Sequence, residues 1–589
     1  MKKTKKQTFM GGVLTIMMAQ IFIKLLGFLY RHVLINIPEF GDEGSGLYGI
    51  GFNIYMLLLT IATVGVPGAI AKLVSDRVAK GKVEEAKYIF KKALILFSTI
   101  GFIGMLIMLV SAPYLAKMAG NEAATGVLVA LAPSVFFVSI ASVIRGYFNG
   151  MYNMKPASFN QALEQIFKAG LTIAFVFGLH YIFINQNVLS AKLGLSTENI
   201  TSVMAMWANI ASTISCAIGL VYLIAYFRFH RKDIYEISKD DENFKNISSD
   251  KESKNLDELN ETKSGIEKAI KTVKMILALS IPMSLASVVS AINRNIDSFT
   301  VNNILQEVVP FIKPALSGSH DLIVKEATRL YGILSGKVDM LIGLPLSINI
   351  AFATALVPAV TECLAKNNRE LAAKRIENSL KFSLLIALPC SVGLCILSGP
   401  ILELLFHGQL VTSPEAPLLL SISAFTVLFT VMNQTINASL QGLGRVYIPA
   451  IALLCGVIVK FVLNLILIRI PEINVNGAAI GSVLCHLIAT CIVSRVLVKN
   501  IKLNITFKSL VFKPVIAVCI MGVLAFVSYK LFASFLGEYS RIATLFGLMI
   551  AVISYALSVV KLKILSEEDY KSLPAGEKIL KVLKKVKLL

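Results

Sequence analysis

Charge is scarce in this sequence. Only 16% of the 589 residues are Asp, Glu, Lys or Arg, against about 25% in an ordinary soluble domain. The eight cysteines make no Cys-x-x-Cys pair, which removes the common zinc and dithiol redox motifs. Almost all of them sit inside apolar runs, where a thiol acts as a small hydrophobe. His32, His180, His230, His320, His407 and His486 are scattered and show no metal-ligand spacing. There is no G-x-x-x-x-G-K-[ST] loop, so no built-in ATPase is expected. Gly41-Asp-Glu-Gly-Ser-Gly46 is too acidic to cradle a phosphate.

What is abundant is hydrophobic sequence. Apolar residues make up 56% of the chain and the mean hydropathy is +0.72. Runs of about 20 apolar residues recur from end to end, as in a polytopic helical membrane protein. A soluble enzyme, a secreted disulfide scaffold and a disordered chain are thereby excluded. The hydropathy pattern predicts an all-α membrane protein with fourteen transmembrane helices, at 9–34, 46–71, 89–112, 125–149, 157–182, 202–227, 272–301, 328–360, 382–402, 416–440, 446–468, 476–498, 511–533 and 540–562. The basic start Met1-Lys-Lys-Thr-Lys-Lys resembles a signal peptide. No small-x-small cleavage site follows and Lys24 interrupts the apolar run, so it reads as a retained first helix.

The net charge of +21 is informative through its location. The N-terminus and the segments after even-numbered spans carry several times more Lys and Arg than the opposite set. The positive-inside rule then puts both termini in the cytoplasm. The highly charged segment 229–271 falls on that side, as a regulatory or docking segment or a solvated linker. In the tail 563–589, Lys alternates with Ile, Leu and Val from Lys578 onward. This suits the anionic inner leaflet or an ordinary basic stop signal.

The chain also repeats itself. Val64-Gly-Val-Pro67-Gly-Ala is echoed by Ala355-Leu-Val-Pro358-Ala-Val, and Asn149-Gly150 with Pro156 by Gln441-Gly442 with Pro449. Lys168 and Lys460 follow at nearly the same offset. A six-helix repeat is predicted, with parallel copies related by an axis along the membrane normal. The expected organisation is an N-lobe at 1–228, the linker 229–271, a C-lobe at 272–500, two extra helices within 501–562 and the tail 563–589. Gly27, Pro67 and Pro358 are the candidate hinges.

Charged residues inside the spans are the candidate site. Each costs about 2.5–3.5 kcal/mol at the bilayer centre, so they are expected to face a wet interior or one another. Gln20, Lys24, Gly27 and Arg31 form one stripe; Asn160, Glu164, Lys168 and Thr172 form another. Ser287, Ser290, Arg294 and Asp297 share a face, while Lys337 and Asp339 do not. Internal pairing, Glu164 with Lys168 and Arg294 with Asp297, is the structural alternative. Lys24 and Lys460 have no local acid. The surplus of positive charge suits an anionic ligand such as a phosphate or pyrophosphate.

Gly27-Phe-Leu-Tyr-Arg31, Gly44-Ser-Gly-Leu-Tyr48, Val66-Pro-Gly-Ala-Ile-Ala-Lys-Leu-Val74, Leu356-Val-Pro-Ala-Val-Thr-Glu362, Leu440-Gln-Gly-Leu-Gly-Arg445 and Asn476-Gly-Ala-Ala-Ile-Gly481 together resemble the stage V sporulation protein B branch of the polysaccharide exporters. That branch is similar to MurJ-type lipid II flippases of the MOP superfamily, which also holds the MATE drug exporters. The resemblance implies a V-shaped, two-lobed, fourteen-helix fold and, as substrate, an undecaprenyl-pyrophosphate-linked glycan, a peptidoglycan precursor. It also implies a tail groove at the last two helices and a cation site on the seventh and eleventh spans, where Asp297 and Asn464 lie. This chain departs from the family by using lysine at most cavity positions, a point-like phosphate binder rather than a planar fork.

The expected function is translocation of a lipid-linked oligosaccharide across the bacterial cytoplasmic membrane by alternating access. Substrate contacts are assigned to Lys24, Arg31, Lys168, Arg294, Lys337 and Lys460; coupling to Na+ or H+ is assigned to Asp297, Asn464, Asp339 and Glu164. The other driving force considered is the membrane potential. No cofactor, metal, nucleic acid or partner chain is expected, membrane lipids apart. A cation-coupled drug antiporter is the alternative transporter. A membrane glycosyltransferase or polymerase is the alternative enzyme, and it would draw its acid from Glu39, Asp42 or Glu43.

Overall fold

The computed structural model describes residues 9–151, 153–230, 258–406, 413–503 and 511–565, and within them every regular element is a helix. The first half of the chain runs α1 (Phe9–Ile35), α2 (Gly41–Thr63), α3 (Val66–Ala79), α4 (Val83–Met118), α5 (Thr125–Gly150), α6 (Lys155–Asn185), α7 (Ile200–Phe229) and α8 (Glu258–Ile312). After it come α9 (His320–Gly332), a π-helical turn (Ile333–Val338), α10 (Asp339–Ala365), α11 (Arg369–Ile396) and α12 (Ala416–Gly442). The last four are α13 (Ile448–Leu467), α14 (Asn476–Asn500), α15 (Lys513–Leu536) and α16 (Arg541–Lys561).

In hydrocarbon every backbone group must be satisfied within the segment, which leaves the helix as the form for these apolar runs. Proline opens α3, α6, α12, α13 and α15, where its missing N–H costs nothing. Asn368 caps α11 by accepting from the Leu371 N–H at 2.9 Å. Gly537, with φ +93°, makes the turn between α15 and α16. Among the described residues twelve helices are long and apolar enough to cross a membrane, or thirteen if Ala269–Ile281 and Ser284–Ile312, bent by 52° within α8, form one span. The first predicted span falls on α1, a further helix of 27 residues. Large apolar side chains face outward along them, with Val110 at 83% and Phe535 at 79% exposure. A soluble protein would bury such residues; a membrane protein offers them to lipid.

The chain divides into two compact units, Met1–Asn302 and Asn303–Leu589. The first is built round a core of Val66, Ile70, Phe97, Tyr147, Phe148, Leu223 and Ile276. Most of α8 belongs to it, whereas the sequence reading put that span with the second half. The reason is a set of close contacts. Gly65, in the break between α2 and α3, lies directly against the Ser280 carbonyl, with Ser284 Oγ 3.0 Å from where its Cβ would be. Asn53 donates to Ser298 Oγ at 3.1 Å, and Asn302 to the Ala119 carbonyl at 2.8 Å.

The second unit packs α10, α11, α12 and α14 round Leu356, Val360, Ile376, Leu440 and Val493. Asn349, Ser383 and Thr435 join α10, α11 and α12 in a buried polar knot. Ser383 Oγ donates to Asn349 Oδ1 at 2.8 Å and contacts Thr435 Oγ1 at 2.6 Å. The α15–α16 hairpin docks on α11 at Gly522, where a Cβ would meet Val392 Cγ1 at 3.3 Å, and Tyr555 donates to the Leu385 carbonyl at 2.9 Å. Gly150 closes on Ala71 and Val74 beyond Pro67, and Gly442 closes on Val357 and Val360 beside Pro358. The two prolines differ, however. Pro67 follows a helix break, whereas Pro358 lies inside continuous α10.

Candidate functional site: a cationic and aromatic cluster in the first unit

The site is assembled from α1, α2, α5, α6 and α8. Tyr48, Phe52 and Tyr55 fall at i, i+4 and i+7 on α2, one aromatic face. Tyr30 of α1 meets that face, with its hydroxyl 3.3 Å from that of Tyr48. Two cations lie over the rings. The Arg31 guanidinium stands 5.4 Å from the Tyr48 centroid and 5.9 Å from that of Phe52. The Lys168 ammonium is 4.4 Å from the Phe52 centroid and 5.8–5.9 Å from those of Tyr48 and Tyr30. Such contacts stabilise a cation by about 2 kcal/mol when it is desolvated, while leaving its charge uncancelled. Lys24 lies within electrostatic range of Arg31 and Arg294. The structure thus brings together the sequence-predicted residues Lys24, Arg31, Lys168 and Arg294.

The acid nearest to Lys168 in sequence is engaged elsewhere. Glu164 Oε1 accepts from Arg145 Nη2 at 2.5 Å, and Asn160 Oδ1 accepts from Arg145 Nε at 2.6 Å. Gly219 of α7 makes room for this: a Cβ there would collide with Glu164 and lie 2.7 Å from Asn160 Nδ2. The i,i+4 pairing of Glu164 with Lys168 weighed above is therefore replaced by a pairing across helices. Arg145 is the charged residue of this cluster that the sequence reading does not single out. It lies near the end of α5, where a basic residue reads as part of the adjoining charged loop. Its signal was present, because Asn160 and Glu164 stand just across the short α5–α6 connection. Glu164 is held by this arginine. Asp297 is half-buried on α8, next to Ser298, which Asn53 binds.

The other predicted cations belong to the second unit. Lys337 is 1% exposed in the π-helical turn. Its ammonium donates to Ser413 Oγ at 3.2 Å and stands 5.6 Å from the Phe406 ring. Lys460 is 2% exposed and Asn464 fully buried, both on α13. Gly481 of α14 packs on them, with its Cβ position 2.7 Å from Asn464 Oδ1 and 3.4 Å from Lys460 Cγ. Asp339 is exposed at the start of α10. Gly27 sits within continuous α1 beside Gln165 Nε2, at 3.6 Å from where its Cβ would be. Glu39, which the enzyme alternative would need free, is bound by His180 at 2.5 Å. Among the described residues no group of three or more His, Cys, Asp or Glu side chains is placed to hold a metal.

Solved structures share this multi-pass helical bundle. A lipid II flippase MurJ in an inward closed conformation superposes with a TM-score of 0.60, covering 92% of this chain and 98% of that one at 14% identity. An inward-facing multidrug MATE transporter of the MOP superfamily gives 0.57, with 83% and 98% coverage at 17% identity. These likenesses establish the fold. The chain belongs to the polysaccharide biosynthesis protein family, whose profile matches residues 9–364; the profile of lipid II flippase MurJ matches residues 337–550. In Bacillus subtilis strain 168, stage V sporulation protein B is 26% identical, over 85% of this chain and 86% of its own. Lipid II flippase MurJ of the same strain is 25% identical over 87% and 86%. The protein is a multi-pass membrane protein of the polysaccharide biosynthesis protein family.

Proposed function

We propose that this protein translocates a glycan linked to undecaprenyl pyrophosphate, a lipid II-like peptidoglycan precursor, from the inner to the outer leaflet of the bacterial cytoplasmic membrane. The observation that carries this reading is the cluster in the first unit. Lys24, Arg31, Arg145, Lys168 and Arg294 outnumber Glu164 and Asp297, and Arg145 already neutralises Glu164. A surplus of cations held on aromatic faces suits a pyrophosphate, which carries several oxygens and no need for a fixed fork. A drug antiporter for organic cations calls for the opposite sign, so the cluster disfavours that alternative.

The chain works as a monomer with fourteen spans and both termini inside. Alternating access exposes the cationic cluster first to the inner and then to the outer face, while the polyprenyl tail stays in lipid beside α15 and α16. An inside-negative potential favours outward movement of an anion by about 2.3 kcal/mol per charge per 100 mV. Asp297 and Asn464 are the candidates for a returning cation. The direct test is translocation of lipid II in proteoliposomes. Outward movement that rises with an imposed inside-negative potential and is lost in Lys168→Gln is the expected result. Wild-type protein that moves no lipid II but expels organic cations would replace this reading with the antiporter.

A further inference from the structure

One face of α12 carries a line of hydrogen-bonding groups that the cationic cluster does not explain. Ser423, Thr426, Thr430, Asn433 and Asn437 recur at intervals of three and four residues, so they stand one above another on a single face. From first to last the line runs about 21 Å, at 1.5 Å per residue. Ser423, Thr426 and Asn433 are 3%, 8% and 8% exposed. Ser423 Oγ, Thr426 Oγ1, Thr430 Oγ1, Asn433 Nδ2 and Asn437 Oδ1 are all buried and have no hydrogen-bond partner among the described residues. The two asparagines bond each other through Asn437 Nδ2 and Asn433 Oδ1, which leaves one amide donor and one amide acceptor pointing away.

The same helix shows the ordinary solution elsewhere. Thr435 Oγ1 donates to the Val431 carbonyl at 3.3 Å and Ser439 Oγ to that of Thr435 at 2.9 Å. Back-bonding of this kind satisfies a hydroxyl in a membrane helix. Ser423, Thr426 and Thr430 do not use it. A buried hydroxyl or amide without a partner costs on the order of 1–3 kcal/mol, so a file of five needs a polar occupant during the working cycle. Its chemistry is specific. It contains no charge, and it mixes donors with acceptors. A phosphate would want donors and positive charge; a metal ion would want converging anionic oxygens. A row of sugar hydroxyls, each both donor and acceptor, matches it.

We infer that the α12 face binds the neutral sugars of the lipid-linked glycan. This rests on the function proposed above.

The test compares two ligands on reconstituted protein: lipid II, and undecaprenyl pyrophosphate without sugars. The variant Thr426→Val/Thr430→Val removes two hydroxyls at nearly constant shape and leaves the Asn437–Asn433 bond in place. Lipid II binding should weaken about tenfold, the loss of one to two net hydrogen bonds, while binding of undecaprenyl pyrophosphate stays unchanged. Equal binding of both ligands by variant and wild type would overturn the sugar assignment and leave the flippase reading standing. Failure of wild type to bind either ligand would instead remove the flippase reading. Cysteines placed singly at Thr426 and Thr430 give a second readout. A small hydrophilic thiol reagent should label them, and lipid II should protect them. Labelling without protection would show a merely hydrated face, and no labelling a closed one; either result overturns the proposal.

Discussion

Lys168 and Lys460 follow the two echoed Gly–Pro stretches of the sequence at nearly the same offset, and their surroundings separate them. In sequence Lys168 has Glu164 one turn away and Lys460 has no acid in its own helix, which favours Lys460 as the freer cation. The folded chain reverses that order. Arg145 holds Glu164, and Lys168 is left on the faces of Phe52, Tyr48 and Tyr30. Lys460 is closed into the seam between α13 and α14 at Gly481. Lys168→Ala is therefore expected to lose at least tenfold in lipid II translocation, and Lys460→Ala to lose less transport but more thermal stability; flux and unfolding temperature measured on both variants decide it. Arg145 can be weighed in the same way. Arg145→Ala leaves a buried carboxylate without its partner, at about 3–5 kcal/mol. The double variant Arg145→Met/Glu164→Leu should recover most of the unfolding temperature, and a double variant less stable than Arg145→Ala would show the pair to be misassigned. The candidate cations were legible one by one, because a charge in an apolar run stands out. Their partners were not, because Arg145 and Glu164 meet across two helices and no periodicity within one helix reports such a contact.

At the level of the element, glycines decide which helices touch. Gly65 breaks the run between α2 and α3 and lets the Ser280 carbonyl of α8 approach; Gly170 on α6 has nothing within 4 Å of its Cβ position. Gly65→Ala should lower stability by about 1–3 kcal/mol through overpacking. Gly170→Ala should leave it unchanged or raise it by about 0.5–1 kcal/mol through helix propensity. Thermal unfolding in detergent, read from both variants, checks the pair, and an unaffected Gly65→Ala would mean that α8 does not depend on this contact. Pro67 and Pro358 were read from sequence as equivalent hinges. Only Pro67 has a glycine two residues before it, and only there does the helix break, since proline alone is accommodated inside α10.

On the scale of the whole molecule, the hydropathy pattern located most helices to within a few residues, because length and apolarity are local properties that a membrane enforces. The break at Gly65, the bend in α8 and the assignment of α8 to the first unit were not legible, because packing between distant segments sets them. The charge asymmetry yields a prediction for the molecule as a unit: residues 229–271 face the cytoplasm. A cysteine introduced near Asn255 should react with an impermeant thiol reagent only after cells are opened. Rapid labelling of intact cells would overturn the orientation, and with it the direction of transport.

The Arg145–Glu164 pair also bears on how the chain enters the bilayer during synthesis. A charge costs up to about 2.5–3.5 kcal/mol at the bilayer centre when its helix is inserted alone, and less near a helix end, where Arg145 lies. Arg145 and Glu164 lie on consecutive helices, α5 and α6, which are separated only by residues 151–154. Entering together as a hairpin, the two helices present a neutralised pair to the lipid; entering one at a time, each presents a bare ion. Paired insertion of α5 and α6 is therefore the expected outcome, and a chain cut after Gly150 should leave α5 less completely inserted.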